Sequence, residues 1–313
     1  MNKTFKHSSA AFSVSIQAQQ IISKKPYRFP DRSSESLQAA RSNVRLMAEP
    51  LVERVLGLHG VRVIYKMIGG IKCLVVQPKK TCSNKKILYG FGGGFVMGSA
   101  FEDLTIAVPI SALTNLEVII PEYRLAPEHP WPAACDDFIS VYAAISDHLL
   151  AVVGESAGGN LALVTLLRAK RLGLKLPEAT VLLSPWCDLT NDGDSLIFNE
   201  GRDPTLSIQQ SKLAALHYAV GQNLKNPEIS PLFGHFDEWF PKVFISSGTR
   251  DLLLSQSIQL ASVMQARGIS VDLRIWEGLW HVFEWNIELP EAGLSINQIA
   301  KFLINSLDID ETK

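Results

Sequence analysis

The stretch VVGESAGGNLAL sets Ser156 between Gly154 and Gly158, a Gly-x-Ser-x-Gly spacing at the end of an apolar run. Small flanking residues let a strand reverse sharply into a helix, lifting the serine hydroxyl clear of a sheet and onto a helix N-terminus. The helix dipole and free amides there favour developing negative charge. Serine is a weak nucleophile until a base takes its proton. In this kind of turn the acid and then the histidine follow the serine in the chain. Of the seven histidines only His217, His235 and His281 lie beyond Ser156. His217 and His235 fall in a long stretch between apolar runs, whereas His281, in WEGLWHVFEW, follows a late one. The acid should also lie just past a strand, and VFISSGTRDLLL supplies Asp251. Asp272 is the rival, but within VDLRIW it shares a face with Arg274 and reads as a solvated strand residue. The plainer readings are a packing turn around Ser156, a loop histidine at 281 and a helix N-cap at Asp251.

Acyl transfer through a tetrahedral intermediate also needs amide donors aimed at an oxyanion, each worth about 10²–10³ in rate. One is the amide of the residue after the nucleophile, Ala157. The others must come from a loop with bare backbone. ILYGFGGGFVMGS breaks a strand-like run into Gly92, Gly93 and Gly94, and Gly93 and Gly94 suit that task. The plainer reading is a glycine turn that eases packing.

These groups need a scaffold that turns strands into loops at one rim. Short apolar, β-branched runs recur as VRVIYKMI, IKCLVVQP, KILYGF, LEVIIPEY, HLLAVVGES, ATVLLSP, KVFISSG and VDLRIWEG. Gly69-Gly70 between the first two reads as a hairpin. The later runs are almost continuously apolar, as strands covered on both faces must be. Between them, ACDDFISVYAAI, GNLALVTLLRAKRL and SQSIQLASVMQARG carry apolar residues at three- and four-residue steps. The alternation predicts an α/β fold with a mostly parallel sheet. Residues before about Val61 read as helical or irregular, and a long insertion runs from about Leu189 to Trp239, with one helix near Leu206 to Val220. Both read as a cover over the sheet edge rather than a second domain.

The 313 residues carry 30 basic and 31 acidic side chains, a balance with no pull toward nucleic acid or anionic membrane. Cys73, Cys82, Cys135 and Cys187 form no CxxC pair and fit no zinc spacing. They read as reduced thiols of a cytoplasmic protein. The N-terminal apolar patch is interrupted by Ser13, Ser15 and Gln17, a poor signal peptide, and no run is long enough to span a bilayer.

With these residues assembled, the chain resembles the hormone-sensitive-lipase-like (bacterial family IV) carboxylesterases of the α/β-hydrolase superfamily over roughly residues 60 to 285. YRLAPEHPWPAACDD, SPWCDLT and ISPLF resemble further family blocks, in order. The resemblance implies a single α/β-hydrolase domain over 1–313, with an eight-stranded, mostly parallel sheet flanked by helices. It implies a helical cap from about 1–55 and about 189–239. It also implies cofactor-free and metal-free hydrolysis of short- to medium-chain carboxylic esters by Ser156, Asp251 and His281, with Gly93, Gly94 and Ala157 as the oxyanion hole. Family members often dimerise, which leaves a homodimer open. An amidase or deacetylase with the same triad, or a ligand-binding receptor on the same fold, is the alternative. Three departures stand out: Phe91 where the family's glycine loop begins with His, Glu155 where its elbow often has Asp, and Ser255 where it often has a second Asp. The expectation is a loop held by apolar contacts around Phe91. Arg124 and Glu128 are expected to pair across the proline-rich turn. Trp280, Phe283, Trp285, Trp186 and Phe233 are expected either to line the pocket or to seal cap to sheet.

Overall fold

The computed structural model describes residues 13–24 and 34–307; the cap expected from residue 1 falls partly on residues 1–12 and 25–33, outside the described ones. Eight strands form one sheet: β1 (Arg62–Ile68), β2 (Ile71–Gln77), β3 (Lys86–Gly90), β4 (Glu117–Pro121), β5 (Leu149–Glu155), β6 (Ala179–Leu183), β7 (Lys242–Gly248) and β8 (Val271–Trp276). Their order is β1-β2-β4-β3-β5-β6-β7-β8. β2 is antiparallel to both neighbours, and all other pairs are parallel. The apolar runs explain the placement: β5 and β6 are buried at every residue, as central strands between helices must be, while β8 at the edge is half exposed.

The helices α3 (Leu104–Thr114), α4 (Ala133–Ile145), α5 (Ala157–Arg171), α8 (Leu254–Gln265) and α9 (Pro290–Leu307) cover the sheet, α3 packing on α9 and α4 on α5. In α9 the buried residues Ala292, Ser295, Ile296, Ile299, Ala300 and Leu303 recur at helical spacing, which turns one stripe to the core. Two further segments lie outside this frame. One holds α1 (Ile16–Ser23) and the long α2 (Ser34–His59), which packs on α3. The other links β6 to β7 and carries α6 (Asp194–Phe198) and α7 (Ile208–Tyr218). Periodicity anticipates α7 only; five residues are too few for α6 to show a helical stripe.

The proline-rich turn is held differently from the expected pairing of Arg124 with Glu128. Arg124 grips the Asp137 carboxylate through Nε (2.9 Å) and Nη2 (2.7 Å), because Asp137 is buried in α4 and needs a charged partner. Glu128 instead takes both terminal nitrogens of Arg41 on α2, each at 2.9 Å. The same Arg41 donates to the carbonyls of Val96 and Ala126 at 2.9 Å. α2 is thus fastened to the loop that follows the glycine triplet.

Candidate active site

At the end of β5 the chain turns sharply into α5, and Ser156 at the turn has φ 52° and ψ −117°. A non-glycine residue held there costs about 1–3 kcal/mol, so the surroundings must impose it. They do so by close packing: a Cβ on Gly158 would lie 2.0 Å from the carbonyl oxygen of Gly90, and one on Gly154 would lie 2.2 Å from that of Gly158. The Ser156 amide also donates to Leu183 of β6 at 2.9 Å. The two glycines of the motif are therefore needed for close approach, and the serine between them is pushed outward.

The loops after β7 and β8 meet this serine. His281 Nε2 lies 2.9 Å from Ser156 Oγ, and its Nδ1 lies 3.1 Å from Asp251 Oδ1. Asp251 also accepts from the Leu253 amide (2.8 Å) and the Ser247 hydroxyl (2.7 Å). The Leu253 contact retains part of the turn-capping role that a plainer reading of Asp251 offers. Burial disfavours the ionised carboxyl of Asp251, but the charge and hydrogen bond of His281, with its other donors, hold it below the usual carboxylate range. Burial likewise disfavours the imidazolium of His281. The carboxylates of Asp251, Asp203 and Glu155 outweigh it and lift this histidine to about 9. The rival residues are elsewhere: His235 is exposed beside Asp237, and Asp272 pairs in the open with Arg274. His217 sits half-buried on α7, away from the cavity lining.

Ser156 and His281 open onto a cavity of about 390 Å³, whose wall includes Gly92, Gly93 and Gly94. Gly93 has φ 96°, and a Cβ there would lie 2.3 Å from the Met97 carbonyl oxygen. Ala157 opens α5, so its amide belongs to the first turn, whose N–H groups have no partner within the helix. Phe91 is buried and stacks on Tyr123 with ring centroids 4.0 Å apart, while the Tyr123 hydroxyl donates to the Phe91 carbonyl at 2.6 Å. The loop is therefore braced by apolar aromatic stacking, as expected, and also by the Tyr123 hydroxyl.

Glu155 lies under the same loop, hydrogen-bonded to the Gly92 amide and to Asp103. Burial first, and then the charges of Glu155 and Glu102, push the Asp103 carboxyl well above its ordinary range. Asp103 is the donor of the pair, so one proton is shared between two buried carboxyls and a single negative charge, on Glu155, remains. Ser255 takes a different place from the family's second Asp: its Oγ accepts from the Ser195 amide at 2.9 Å, tying α8 to α6.

Sequence reasoning missed Asp103, Tyr123 and Asp203. Asp203 accepts the amides of both Leu252 and His281. Its one sequence signal is the turn former Asp-Pro-Thr at 203–205 inside the insertion. The expected aromatic group divides in three. Trp186 and Trp285 line the cavity, Trp280 and Phe283 pack with Val14, Ala18 and Leu289, and Phe233 is exposed under Lys225. Among the described residues no group of three or more His, Cys, Asp or Glu is placed to hold a metal ion, and no helix is long and apolar enough to cross a membrane.

Comparison with known proteins agrees with this geometry. A family model described as alpha/beta hydrolase fold matches residues 87–285. An esterase of Acinetobacter venetianus is 33% identical over 231 residues, covering 72% of this chain and 76% of that protein. An acetyl-hydrolase of Streptomyces hygroscopicus is 28% identical, covering 73% and 78%. Among solved structures, a hormone-sensitive lipase from a metagenome library superposes with TM-score 0.83 at 30% identity, covering 93% of this chain and 97% of that one. An esterase from the bacterial hormone-sensitive lipase family gives TM-score 0.76 at 26% identity, with 88% and 99% covered. A serine at a nucleophile-type elbow, bonded to a histidine that is bonded to an aspartate, thus lies within a sheet and a sequence of one lineage: the chain belongs to the α/β-hydrolase family, as a hormone-sensitive-lipase-like carboxylesterase.

Proposed function

We propose that Ser156, His281 and Asp251 form the catalytic triad of this carboxylesterase, with Gly93, Gly94 and Ala157 as the oxyanion hole. The observation that carries the reading is the unbroken chain of contacts from Ser156 Oγ through both nitrogens of His281 to Asp251, at the wall of a cavity that the glycine loop shares. Neutral His281 accepts the hydroxyl proton as Oγ attacks the ester carbonyl. Asp251 fixes the tautomer and stabilises the imidazolium. The amides of Gly93, Gly94 and Ala157 bind the oxyanion. His281 then gives its proton to the leaving alcohol, and water, deprotonated by the same imidazole, hydrolyses the acyl-enzyme.

The segments holding α2, α6 and α7 act as the cap. Leu37, Ala40, Val44 and Met47 of α2 line the cavity together with Trp186 and Trp285, a lining suited to uncharged acyl and alcohol groups. Its volume of about 390 Å³ lies toward the small end of the small-molecule range of about 300–1,000 Å³, which supports short- to medium-chain esters. Cys73, Cys135 and Cys187 are buried and unbridged, which suits a reducing cytoplasm. The test is Ser156→Ala with p-nitrophenyl butyrate: the wild type should show a nitrophenol burst and organophosphate labelling at Ser156, and the variant neither. Turnover by Ser156→Ala would end the scheme.

A further inference from the structure

A carboxylate from the cap segment is buried against both loops that carry the histidine and the acid. Asp203 lies between α6 and α7 and is fully buried. Its Oδ1 accepts from the Thr205 amide (2.9 Å), the Thr205 hydroxyl (2.8 Å) and the Leu206 amide (3.1 Å). Its Oδ2 accepts from the Leu252 amide (3.0 Å), next to Asp251, and from the His281 amide (3.3 Å). Thr205 Oγ1 approaches the His281 carbonyl at 3.4 Å, so the histidine's main chain is bracketed on both sides by the Asp203–Thr205 turn. The same segment reaches the acid loop again: Asn199 Nδ2 donates to the Asp251 carbonyl at 2.8 Å, and Ser195 Oγ to the Leu252 carbonyl at 2.8 Å. Pro204, Thr205 and Leu206 in turn form part of the cavity wall.

A buried carboxylate that accepts five donors is a rigid junction, since each donor left without it would be an unsatisfied buried group. One of its oxygens serves the substrate wall and the other serves the triad loops. We infer that Asp203 is a positioning residue for ester hydrolysis, locking the His281 imidazole and the Asp251 loop in register with the cap wall of the substrate cavity. The inference rests on the triad reading above. Displacements of about 1 Å at such a site cost on the order of 10² in rate. Asp203 also adds negative charge beside His281, together with Asp251 on the loop after β7 and Glu155 at the end of β5.

The test compares Asp203→Asn and Thr205→Val with the wild type, using kcat, KM, the pH profile of kcat/KM and the rate of organophosphate inactivation. In Asp203→Asn an amide NH2 must face either the three donors now on Oδ1 or the two on Oδ2, and the charge is gone. We expect kcat to fall about 10- to 100-fold with KM changed less than about threefold, and the acidic limb of the profile to move toward that of an ordinary histidine. Thr205→Val removes one donor to Asp203 and the contact to the His281 carbonyl, and should lower kcat about three- to tenfold with the limb unmoved. If Asp203→Asn does not fold, Thr205→Val decides alone. A folded Asp203→Asn with lowered thermal stability but wild-type kcat and pH limb, or a Thr205→Val with wild-type kcat, would overturn the inference. Either result with wild-type Ser156 still labelled by organophosphate leaves the triad standing, whereas a wild type that resists labelling removes the triad itself.

Discussion

Raising the pH from 7 to 9 should increase kcat/KM for p-nitrophenyl butyrate about fiftyfold, because in the proposed triad only neutral His281 can take the serine proton. With the imidazole at about 9, roughly 1% is neutral at pH 7 and about half at pH 9. A histidine at its ordinary value of 6.5 would give a rise of only about 1.3-fold over the same range. The same proton acts on stability with the opposite sign. A folded-state value raised above the unfolded one stabilises fully below pH 6.5, and that stability is lost as pH climbs through about 9. His281 is 9% exposed, so solvent screens the interaction little, and the shift corresponds to roughly 3 kcal/mol. Glu284, which burial pushes up to about 7, also loses stability with rising pH, but between 4.5 and about 7. A His281→Gln control separates the two, because Glu284 is common to both proteins. The assays are initial rates followed at the nitrophenol–nitrophenolate isosbestic wavelength and urea unfolding, each from pH 6 to 10. The difference in unfolding free energy between wild type and His281→Gln should shrink across pH 6.5 to 9 while wild-type kcat/KM grows. A kinetic limb at or below 6.5, or two unfolding curves that fall in parallel to pH 9, would refute the assignment of this proton to His281.

Two other perturbations probe the supports of the site. Gly158→Ala places a methyl carbon 2.0 Å from the backbone oxygen of Gly90, which cannot rotate away; we expect kcat to drop more than about 10²-fold and organophosphate labelling to slow with it. Asp103→Asn keeps a donor facing Glu155 and should leave kcat within about threefold, whereas Asp103→Leu strands a buried charge under the glycine loop and should cost about 3–5 kcal/mol of stability by urea unfolding.

The parts legible in the sequence are those that act through backbone shape or through periodicity. Gly154 and Gly158 announce the elbow because nothing larger fits against Gly90 and the turn, and the buried runs announce β5 and β6 because both faces are covered. Asp251 and His281 are readable because each lies just beyond a strand-like apolar run, β7 and β8 respectively. Contacts set by tertiary packing leave no such trace. Arg124 could reach either Glu128 or Asp137, and only the burial of Asp137 in α4 decides between them. Tyr123 reads as part of a proline-rich block until its hydroxyl is seen on the Phe91 carbonyl. A His-to-Phe change at position 91 looks like a lost brace, yet the Tyr123 stack and hydrogen bond provide one through neighbours 32 residues away.

The same distinction explains why the segment between β6 and β7 is the hardest to read from sequence. A central strand needs only apolar residues, so many sequences encode it and its pattern is redundant. The segment between β6 and β7 has a five-residue helix, an eleven-residue helix and much irregular backbone, and irregular buried backbone must find its hydrogen-bond partners one by one. Asp203 accepts the segment's own Thr205 and Leu206 amides, and Asp203, Ser195 and Asn199 each reach the loop after β7 or the loop after β8. These polar residues therefore fasten the segment to the loops that carry Asp251 and His281, two members of the proposed triad. If Asp203 positions His281 as inferred, variation that resizes the cavity wall at Pro204–Leu206 should also displace His281, and substrate preference and turnover number should then change together.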